Sequence, residues 1–300
     1  MQLQQLRYVV SVAEEGRFNR AAARLHVAQP SISSAVAALE HELGAQLFHR
    51  ERAEVRLTGA GEVFLPWARQ VLADCEAGVA AVRDLLGLKL GRLVLGATPS
   101  LTTNLLPPVL ARFHAEHPGV ELVVFEAGSK ELVDRLERGE MDLALVILPV
   151  DKPRVDTVAL MEEELVLAVS EGHPLAHRTA IRVADLEHVP LVMFKEGYDL
   201  RDTTLLACRQ SGFVPVMAMQ GLEMDGALAV ASAGVAAAVV PESVVAGAGR
   251  LRAIRFRGSA LNRTVGLASR EDHPFSPAGQ AFVEALHEHL GGAAIKWRRR

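Results

Sequence analysis

The sequence predicts an α/β protein built from a small helical N-terminal head, one long connecting helix and two α/β lobes. Residues 18–43 have the spacing of two short helices joined by a tight turn. Apolar residues then recur every three to four positions from about residue 60 to residue 86, the pattern of a single long helix. From residue 92 onward, apolar segments typical of buried strands alternate with helical segments, which indicates layered α/β structure.

Composition excludes several classes of protein. The chain has 300 residues, half of them hydrophobic, which is enough for two or three domains with sizeable cores. A net charge of −4 argues against a non-specific nucleic-acid coat, although a few well-placed cations suffice for a small nucleic-acid contact. Two cysteines, Cys75 and Cys208, are too few for a disulfide framework or a cysteine-built zinc site. The N-terminus lacks signal-peptide features, and the most apolar run, residues 227–240, is too short and interrupted to span a bilayer. We therefore expect a soluble cytoplasmic protein.

The head begins with a helix over residues 3–15, which Gly16 ends. A second helix follows, whose inward side chains should be Ala21, Ala22 and Leu25. Residues 26–28 make the turn, and Pro30 stands at the first residue of a third helix, where proline is best accepted. Intervals of four, three and four predict one buried stripe on this third helix: Ile32, Val36, Leu39 and Leu43.

The outward face of the third helix carries almost no bulk. Its residues are Ser31, Ser33, Ser34, Ala37 and Ala38, where a surface helix usually carries glutamate, lysine and glutamine. Small side chains suit a helix that lies close against a partner, as a helix-turn-helix does in a DNA major groove. Taken alone, the stretch fits better as two helices of an ordinary all-α core.

Cations flank this helix pair. Arg17 and Asn19 stand at the start of the second helix, where Asn19 is a candidate cap and both are candidate phosphate contacts. After Gly44, the segments 47–48 and 55–57 flank a short two-stranded wing with Arg50 and Arg52 near its tip. Such a wing can reach a neighbouring minor groove or the DNA backbone, whereas a solvated hairpin is the alternative interpretation.

Thr58 is a candidate cap for the long helix of residues 60–86. The apolar stripe of this helix consists of Val63, Trp67, Val71, Cys75, Gly78 or Val79, Val82 and Leu86. A helix of this length without a compact partner nearby in sequence is expected to bury its stripe against a second copy of itself. Cys75 would then be a small buried hydrophobe, and residues 88–91 a linker.

Strand and helix segments beyond residue 92 predict two α/β lobes with a cleft between them. Ligands of parallel sheets bind beyond the carboxyl ends of the strands. The loops at those ends are polar: Thr98, Ser100 and Thr102; Gly128 and Ser129; and residues 195–201, with Arg201 as a candidate counter-ion. Hydroxyls and amides at helix starts favour an anionic ligand. Each hydroxyl alone is better explained as a helix cap, and it is the convergence of three such loops that supports a binding site.

These residues resemble the LysR-type transcriptional regulators over essentially the whole chain. The motifs that carry the resemblance are the run from Leu6 to Arg50, VRLTGAG leading into the long helix, GEMDLAL, HPLA at 173–176 and the run ending at Val240-Pro241. The resemblance implies a winged helix-turn-helix, a dimerising linker helix and an effector-binding module shaped like a two-lobed periplasmic solute-binding protein. It also implies promoter DNA, a small-molecule effector and RNA polymerase as partners, with homodimers assembling to a homotetramer.

By this resemblance the domains are residues 1–58 for DNA binding, 59–91 for the linker helix and hinge, and 92–300 for effector binding. Lobe I would comprise about 92–162 and 266–300, and lobe II about 163–265. The implied DNA face is Gln29, Pro30, Ser31, Ser33 and Ser34, with Arg50 and Arg52 in the wing. The implied effector cleft involves Thr98, Ser100, Ser129 and the segment from Phe194 to Arg201.

The chain departs from the family pattern at three places. Many members have an arginine where this chain has Ser34, and the wing tip Ala53-Glu54 is less basic than usual. Specificity for the DNA sequence must therefore depend more on Gln29, on Arg50 and on the shape of the DNA. Residues 196–202 resemble the corresponding stretch of peroxide-sensing members, which use a pair of cysteines there. Asp199 stands in place of the reactive cysteine and only Cys208 remains, so a disulfide switch within one subunit is not expected.

Other functions have weaker support. The sequence has no dinucleotide-binding glycine fingerprint, P-loop or nucleophile elbow, and we expect no catalytic residue, metal or cofactor. His287 and His289 lie two residues apart on a predicted helix and so point to different faces. An enzyme with an appended DNA-binding head is the first alternative. A solute-binding protein is the second, but it would require export.

Overall fold

The computed structural model describes residues 1–50, 55–85, 91–246, 249–258, 261–271 and 274–291. The chain forms two compact units. The N-terminal unit comprises Met1–Leu90 with Glu137–Glu140, and the C-terminal unit comprises Gly91–Leu136 with Met141–Arg300.

The N-terminal unit is a helical head with a wing and a long helix. Its elements are α1 (Leu3–Glu15), α2 (Phe18–Arg24), α3 (Gln29–Leu43), β1 (Phe48–Arg50), β2 (Val55–Leu57) and α4 (Gly59–Leu85). β1 and β2 pair antiparallel, so the predicted winged helix-turn-helix is confirmed. The observed α1 coincides with the predicted helix of residues 3–15, and α4 begins and ends one residue before the predicted long helix.

The turn between α2 and α3 depends on one residue in the left-handed region. His26 has φ 53°, a conformation that few non-glycine residues adopt and that histidine tolerates better than β-branched residues. α3 then begins at Gln29, so Pro30 is its second residue and not its first as predicted. At the other end of α3, Gly44 with φ 68° closes the helix in the left-handed conformation, where glycine has no steric penalty.

Two further predictions about the head are wrong. α2 begins at Phe18 with Arg17 at its N-cap, so Asn19 lies inside the helix and makes no cap. Leu43 is 40% exposed, whereas the other three residues of the predicted stripe, Ile32, Val36 and Leu39, are fully buried. The stripe stops short of Leu43 because this residue is the last of the helix and lies beyond the packed core.

The carboxylate of Glu40 fixes the wing to α3. Glu40 is buried, and its Oε1 accepts hydrogen bonds from the backbone amides of Leu47 at 2.9 Å and Phe48 at 3.3 Å. Leu47 and Phe48 also belong to the apolar core of the head. The wing is therefore held by both packing and a charge-assisted hydrogen-bond pair.

Helix α4 has two apolar faces. Leu65 and Ala68 are buried in the core of the head, and the hydroxyl of Thr58 accepts a hydrogen bond from the amide of Gly61, as the predicted cap requires. The second face is exposed in the single chain: Val63, Trp67, Val71, Cys75, Val79 and Val82. Leu86 and residues 88–90 of the predicted linker lie outside the described residues, and Gly91, the last residue of that linker, is instead the first residue of β3.

The C-terminal unit has two lobes. Lobe I begins with β3 (Gly91–Ala97), α5 (Pro99–Thr103), α6 (Leu106–Glu116), β4 (Val120–Glu126), α7 (Ser129–Glu137) and β5 (Leu143–Leu148). The long strand β6 (Val155–Ser170) leads into lobe II, which contains β7 (Ala180–Ile181), a 3₁₀ helix (Val183–Leu186), β8 (Leu191–Phe194), α8 (Asp199–Gln210), β9 (Met217–Leu222), α9 (Met224–Ser232), β10 (Ala238–Pro241), α10 (Glu242–Val245) and β11 (Leu251–Phe256). The chain returns to lobe I through β12 (Asn262–Arg270) and α11 (Pro277–His289).

One mixed sheet passes through both lobes in the order β4-β3-β5-β12-β6-β11-β7, with β10 also paired to β6. The predicted parallel pairing is right for β3 with β4 and β5, and for β8 with β9. The predicted strand 235–240 makes both kinds of pairing: Ala237 forms a parallel bridge with Leu191 of β8, and β10 runs antiparallel to β6. The two-lobed α/β prediction is confirmed.

Strand β6 belongs to both lobes and provides the antiparallel partner of β10. Its first half pairs with β12 beside the core of lobe I, and its second half pairs with β10 and β11 in the core of lobe II. The acidic run Glu162–Glu164 conceals this strand in the sequence, because charged side chains are rarely buried. None of the helices in the described ranges is long and apolar enough to cross a membrane.

Truncating Leu39 to alanine should destabilise the head by about 2–5 kcal/mol, since this fully buried side chain would leave a cavity. The matched control is Leu43→Ala on the same helix, which should cost less than about 0.5 kcal/mol because Leu43 is exposed. Urea unfolding of the full chain measures both. Equal losses for the two variants would contradict the core assigned to α3.

Candidate functional site

The N-terminal half of α3 presents a polar face of small side chains. Gln29, Pro30, Ser31 and Ser34 are exposed and Ser33 is half-buried, while Ile32 between them is fully buried. The structure therefore places all five residues of the predicted DNA face on the outside of one helix. Among these five residues only Gln29 has a long side chain, so a partner surface can approach the backbone of α3 closely.

Gln29 is oriented by its neighbour one turn along α3. Its Nε2 donates a hydrogen bond of 2.8 Å to the hydroxyl of Ser33. This bond directs the amide nitrogen to the helix and leaves the amide oxygen as an acceptor. In a major groove the donors available to such an oxygen are the amino groups of adenine and cytosine.

The predicted cationic contacts lie at two other places on the head. Arg17 and Asn19 are both exposed at the start of α2. Arg50 is the last residue of β1, whereas its side chain, Arg52 and the wing tip lie outside the described residues. The sequence reasoning missed Arg56, which is exposed on β2 directly opposite His49. The alternating exposure of residues 55–57 is the signal that identifies it.

A second candidate site is the small cleft between the lobes of the C-terminal unit. Its volume is about 10 Å³, which is room for about one water molecule. Lobe I contributes Thr98, Pro99, Ser100 and Gly128, lobe II contributes Tyr198, Asp199, Leu200 and Met224, and Arg263 comes from the start of β12. The cleft is thus lined by the two lobes and by a strand that connects them.

Ser129 and Asp199 join the lobes by a direct hydrogen bond. The buried Ser129 hydroxyl donates to Oδ2 of Asp199 at 2.8 Å and accepts from the backbone amide of Ile147 at 2.9 Å. Both hydrogen-bonding directions of this hydroxyl are therefore used within the protein. The hydroxyl thus connects the two lobes beside the cleft.

The backbone of Gly128 lies directly against the backbone of Gly197 in the other lobe. A β-carbon on Gly128 would overlap the carbonyl oxygen of Gly197, an atom that cannot be displaced without moving the chain. Only glycine at residue 128 permits this close approach of the two lobes.

Burial controls the carboxyl group of Asp199. Desolvation raises its pKa, and the hydrogen bond from Ser129, backbone hydrogen bonds and the charge of Arg263 act in the opposite direction. Because desolvation is the largest of these effects, the site favours the protonated acid more than water does.

Two hydroxyls face the cleft beside Asp199. Thr98 is 3% exposed, and its hydroxyl has no hydrogen-bond partner among the described residues. The Ser100 hydroxyl accepts a hydrogen bond of 2.7 Å from Nη2 of Arg263, which leaves its own hydrogen for a further acceptor. A buried hydroxyl without a partner is costly, so Thr98 indicates a position that a ligand or water can satisfy.

Arg263 forms a buried ion pair with Glu163. Nε and Nη2 of Arg263 lie 2.9 and 2.6 Å from Oε2 of Glu163, and the two side chains are 4% and 6% exposed. The cationic charge at the edge of the cleft is therefore balanced within the protein.

Tyr198 forms the lobe II wall of the cleft. The ammonium of Lys195 lies 4.7 Å from the centre of the Tyr198 ring and bonds to Glu223, whose Oε1 also accepts from the Tyr198 hydroxyl at 3.3 Å. Burial raises the pKa of the Tyr198 phenol, and Lys195 partly opposes this shift. The phenol is therefore neutral and its ring is fixed.

Four residues predicted for the effector cleft are not among those that line it, and Ser129, whose hydrogen bonds are given above, is the first of them. Phe194 is fully buried and stacks on Tyr198, and the guanidinium of Arg201 donates to the Phe194 carbonyl and to Gln220. The Thr102 hydroxyl bonds to the Pro99 carbonyl and to Glu126. Their assignment to effector binding stays a prediction. Tyr198, Asp199 and Leu200 belong to the predicted segment 194–201 and do line the cleft. Arg263 was not predicted, because a charge within a strand also fits a solvated surface.

The cleft is suited to binding by hydrogen bonds. Its lining contains no thiol, and Cys208 is fully buried in the core of lobe II, where burial raises the pKa of its thiol. No cluster of metal-ligating side chains occurs among the residues that the structure describes. The geometry therefore favours recognition of a small polar molecule over chemistry on it.

Comparison with known proteins decides the family. Residues 3–62 match the model for the bacterial regulatory helix-turn-helix protein, lysR family, and residues 87–291 match the LysR substrate binding domain. The chain belongs to the LysR family. The transcriptional dual regulator GltC of Bacillus subtilis is 31% identical over 95% of this chain and 96% of its own length. LysR proteins are DNA-binding transcriptional regulators, so this chain is a regulator with an effector-binding domain and not an enzyme.

Solved structures have the same fold. A full-length OxyR from Pseudomonas aeruginosa with a cysteine-to-aspartate substitution is 28% identical, with a TM-score of 0.76 over 100% of this chain and 99% of that one. The LysR regulator CbnR, in full-length form complexed with its target DNA, is 28% identical, with a TM-score of 0.68 over 96% of this chain and 100% of that one. The likeness therefore extends over the head, α4 and both lobes.

The stability of the protein should depend on pH through Asp199. The pKa of Asp199 is raised in the folded state, so its ionisation favours the unfolded chain. The free energy of unfolding should therefore fall as pH rises from the ordinary pKa of 3.8 through the raised pKa of the folded state. Asp199→Asn removes this titration. Urea unfolding over a pH series should show the wild type losing stability relative to the variant in that window. A difference that is constant with pH would contradict the assignment.

Proposed function

We propose that this LysR-family regulator binds promoter DNA through the outer face of α3 and the wing, and that a small polar effector bound between the lobes switches this contact. The observation that carries the proposal is the unsatisfied buried hydroxyl of Thr98, which lies in the cleft where both lobes and a connecting strand meet. A ligand that satisfies it contacts both lobes at once and therefore binds one lobe arrangement better than another.

The hydrogen-bonding inventory defines the effector. Ser100 offers a donor, since Arg263 already occupies an acceptor position on its oxygen. Thr98 offers both a donor and an acceptor, and ionised Asp199 accepts. A complementary molecule presents an acceptor and a donor a few atoms apart. The volume of the cleft requires that it be very small or that it separate the lobes as it enters.

The sequence predicted an anionic effector, and the cleft sets a condition on that proposal. The charge of Arg263 is balanced by Glu163, and an ionised Asp199 would repel an anion. Since burial raises the pKa of Asp199, we propose that an anion binds together with a proton on this carboxyl group. The affinity for an anionic effector should then increase as pH falls. An uncharged effector has no such requirement.

For the DNA contact, the exposed stripe of α4 supports a dimeric regulator. Five large apolar residues on one helix face are costly to leave in water, and a second copy of α4 buries them as in a coiled coil. Pairs of such dimers would place several heads on one operator. The proposed DNA-contacting residues are Arg17, Asn19, Gln29, Pro30, Ser31, Ser33, Ser34, Arg50 and Arg52, to which exposure adds Arg56.

A footprint on promoter DNA tests this proposal. The full chain should protect two half-sites about one helical turn, roughly 34 Å, apart on one face of the duplex. Gln29→Ala should weaken specific protection about tenfold, since a good base contact contributes about 1–3 kcal/mol of discrimination. The control is Gln210→Ala, an exposed glutamine at the end of α8 that should leave the footprint unchanged. A single isolated half-site, or equal loss in both variants, would overturn the proposal.

A thermal-shift screen of small polar compounds on the same protein tests the effector. A compound that fits the cleft stabilises the wild type and should lose this effect on Ser100→Ala.

A further inference from the structure

Glu163 and Arg263 lie where both connecting strands pass from one lobe to the other. They are directly opposite each other in the antiparallel pairing of β6 with β12. On β6, Met161 packs on the core of lobe I and Leu165 belongs to the core of lobe II. On β12, Val265 belongs to the core of lobe I. The ion pair thus occupies the crossing point on both strands.

The ion pair is part of a chain of hydrogen bonds that reaches both lobes. Nη2 of Arg263 donates to the Ser100 hydroxyl in lobe I at 2.7 Å, and the Ser243 hydroxyl in α10 of lobe II donates to Oε1 of Glu163 at 3.1 Å. Ser100 lines the cleft, whereas neither Glu163 nor Ser243 does. One continuous polar connection therefore runs from the cleft through the crossing strands to α10.

Because this ion pair is buried, its geometry is tightly constrained. Removing two charges from water is costly, and the cost is recovered only when both partners are held in good geometry. Without Glu163, Arg263 would be a buried unpaired cation and would no longer be held against Ser100. Without Ser243, one oxygen of the Glu163 carboxylate loses its bond from lobe II.

We infer that Glu163 and Ser243 are positioning residues for the effector cleft, which act through Arg263 on Ser100 and couple this hydroxyl in lobe I to α10 in lobe II. This inference rests on the proposed effector function, because the connection matters for regulation only if an effector binds in the cleft. It links the cleft to both lobes through hydrogen bonds. A change at Ser100 alters the bond to Arg263, and the ion pair passes this change to Ser243. The connection operates in the reverse direction as well, since coupling between two sites is reciprocal.

Hydrogen–deuterium exchange of the full chain tests the coupling without effector or DNA. Ser100→Ala should increase amide exchange about fivefold or more in peptides covering residues 238–246 of lobe II. Ser243→Ala should do the same in peptides covering α5 of lobe I. The control is Ser170→Ala, which removes a hydroxyl of lobe II on β6 outside this chain of bonds and should leave α5 unchanged. Local changes alone, with no effect in the other lobe, would overturn the inference.

A double variant separates coupling from folding. Glu163→Met with Arg263→Met replaces the pair by apolar side chains of similar length, a change that buried ion pairs often tolerate. In this background Ser100→Ala should no longer affect exchange in residues 238–246. If the effect persists, the ion pair does not carry the coupling. Because neither measurement uses DNA, a failed coupling is distinguishable from a failed footprint, which would overturn the proposed function itself.

Discussion

The arrangement of the two lobes depends on the buried pair of Arg263 and Glu163. Both strands that link the lobes cross at this pair, and a charge buried there is tolerated only because its partner is opposite on the neighbouring strand. Arg263 orients the Ser100 hydroxyl toward the cleft. The orientation of this cleft hydroxyl thus depends on a buried ion pair.

Around this pair, the cleft is held nearly closed by two contacts of different kinds. The hydrogen bond of Ser129 to Asp199 is polar and requires partial desolvation of the Asp199 carboxyl group, whereas the contact of Gly128 with Gly197 is steric and requires the absence of a side chain. A ligand that enters must compete with the first contact or separate the second. Either event changes the relation of the lobes, which is the property that an effector-controlled regulator requires.

The sequence predicted the head better than the cleft, for a physical reason. Helix periodicity identifies Ile32, Val36 and Leu39 directly, because a helix that packs on one side must repeat its apolar residues. By contrast, Glu163 and Arg263 are a hundred residues apart, and each alone fits a solvated position. Only the antiparallel register of β6 with β12 brings them together. Leu43 shows the opposite error, since periodicity cannot tell where a core ends.

The most direct test of cleft control over DNA binding is a quantitative footprint titration with Gly128→Ala. The added methyl group overlaps the Gly197 carbonyl and so separates the lobes without altering the head. The matched control is Gly172→Ala, where a β-carbon meets no atom within 4 Å. If the lobe arrangement controls the promoter contact, Gly128→Ala shifts the operator affinity or the extent of protection, and Gly172→Ala does neither. Identical footprints for the wild type and Gly128→Ala would contradict cleft control.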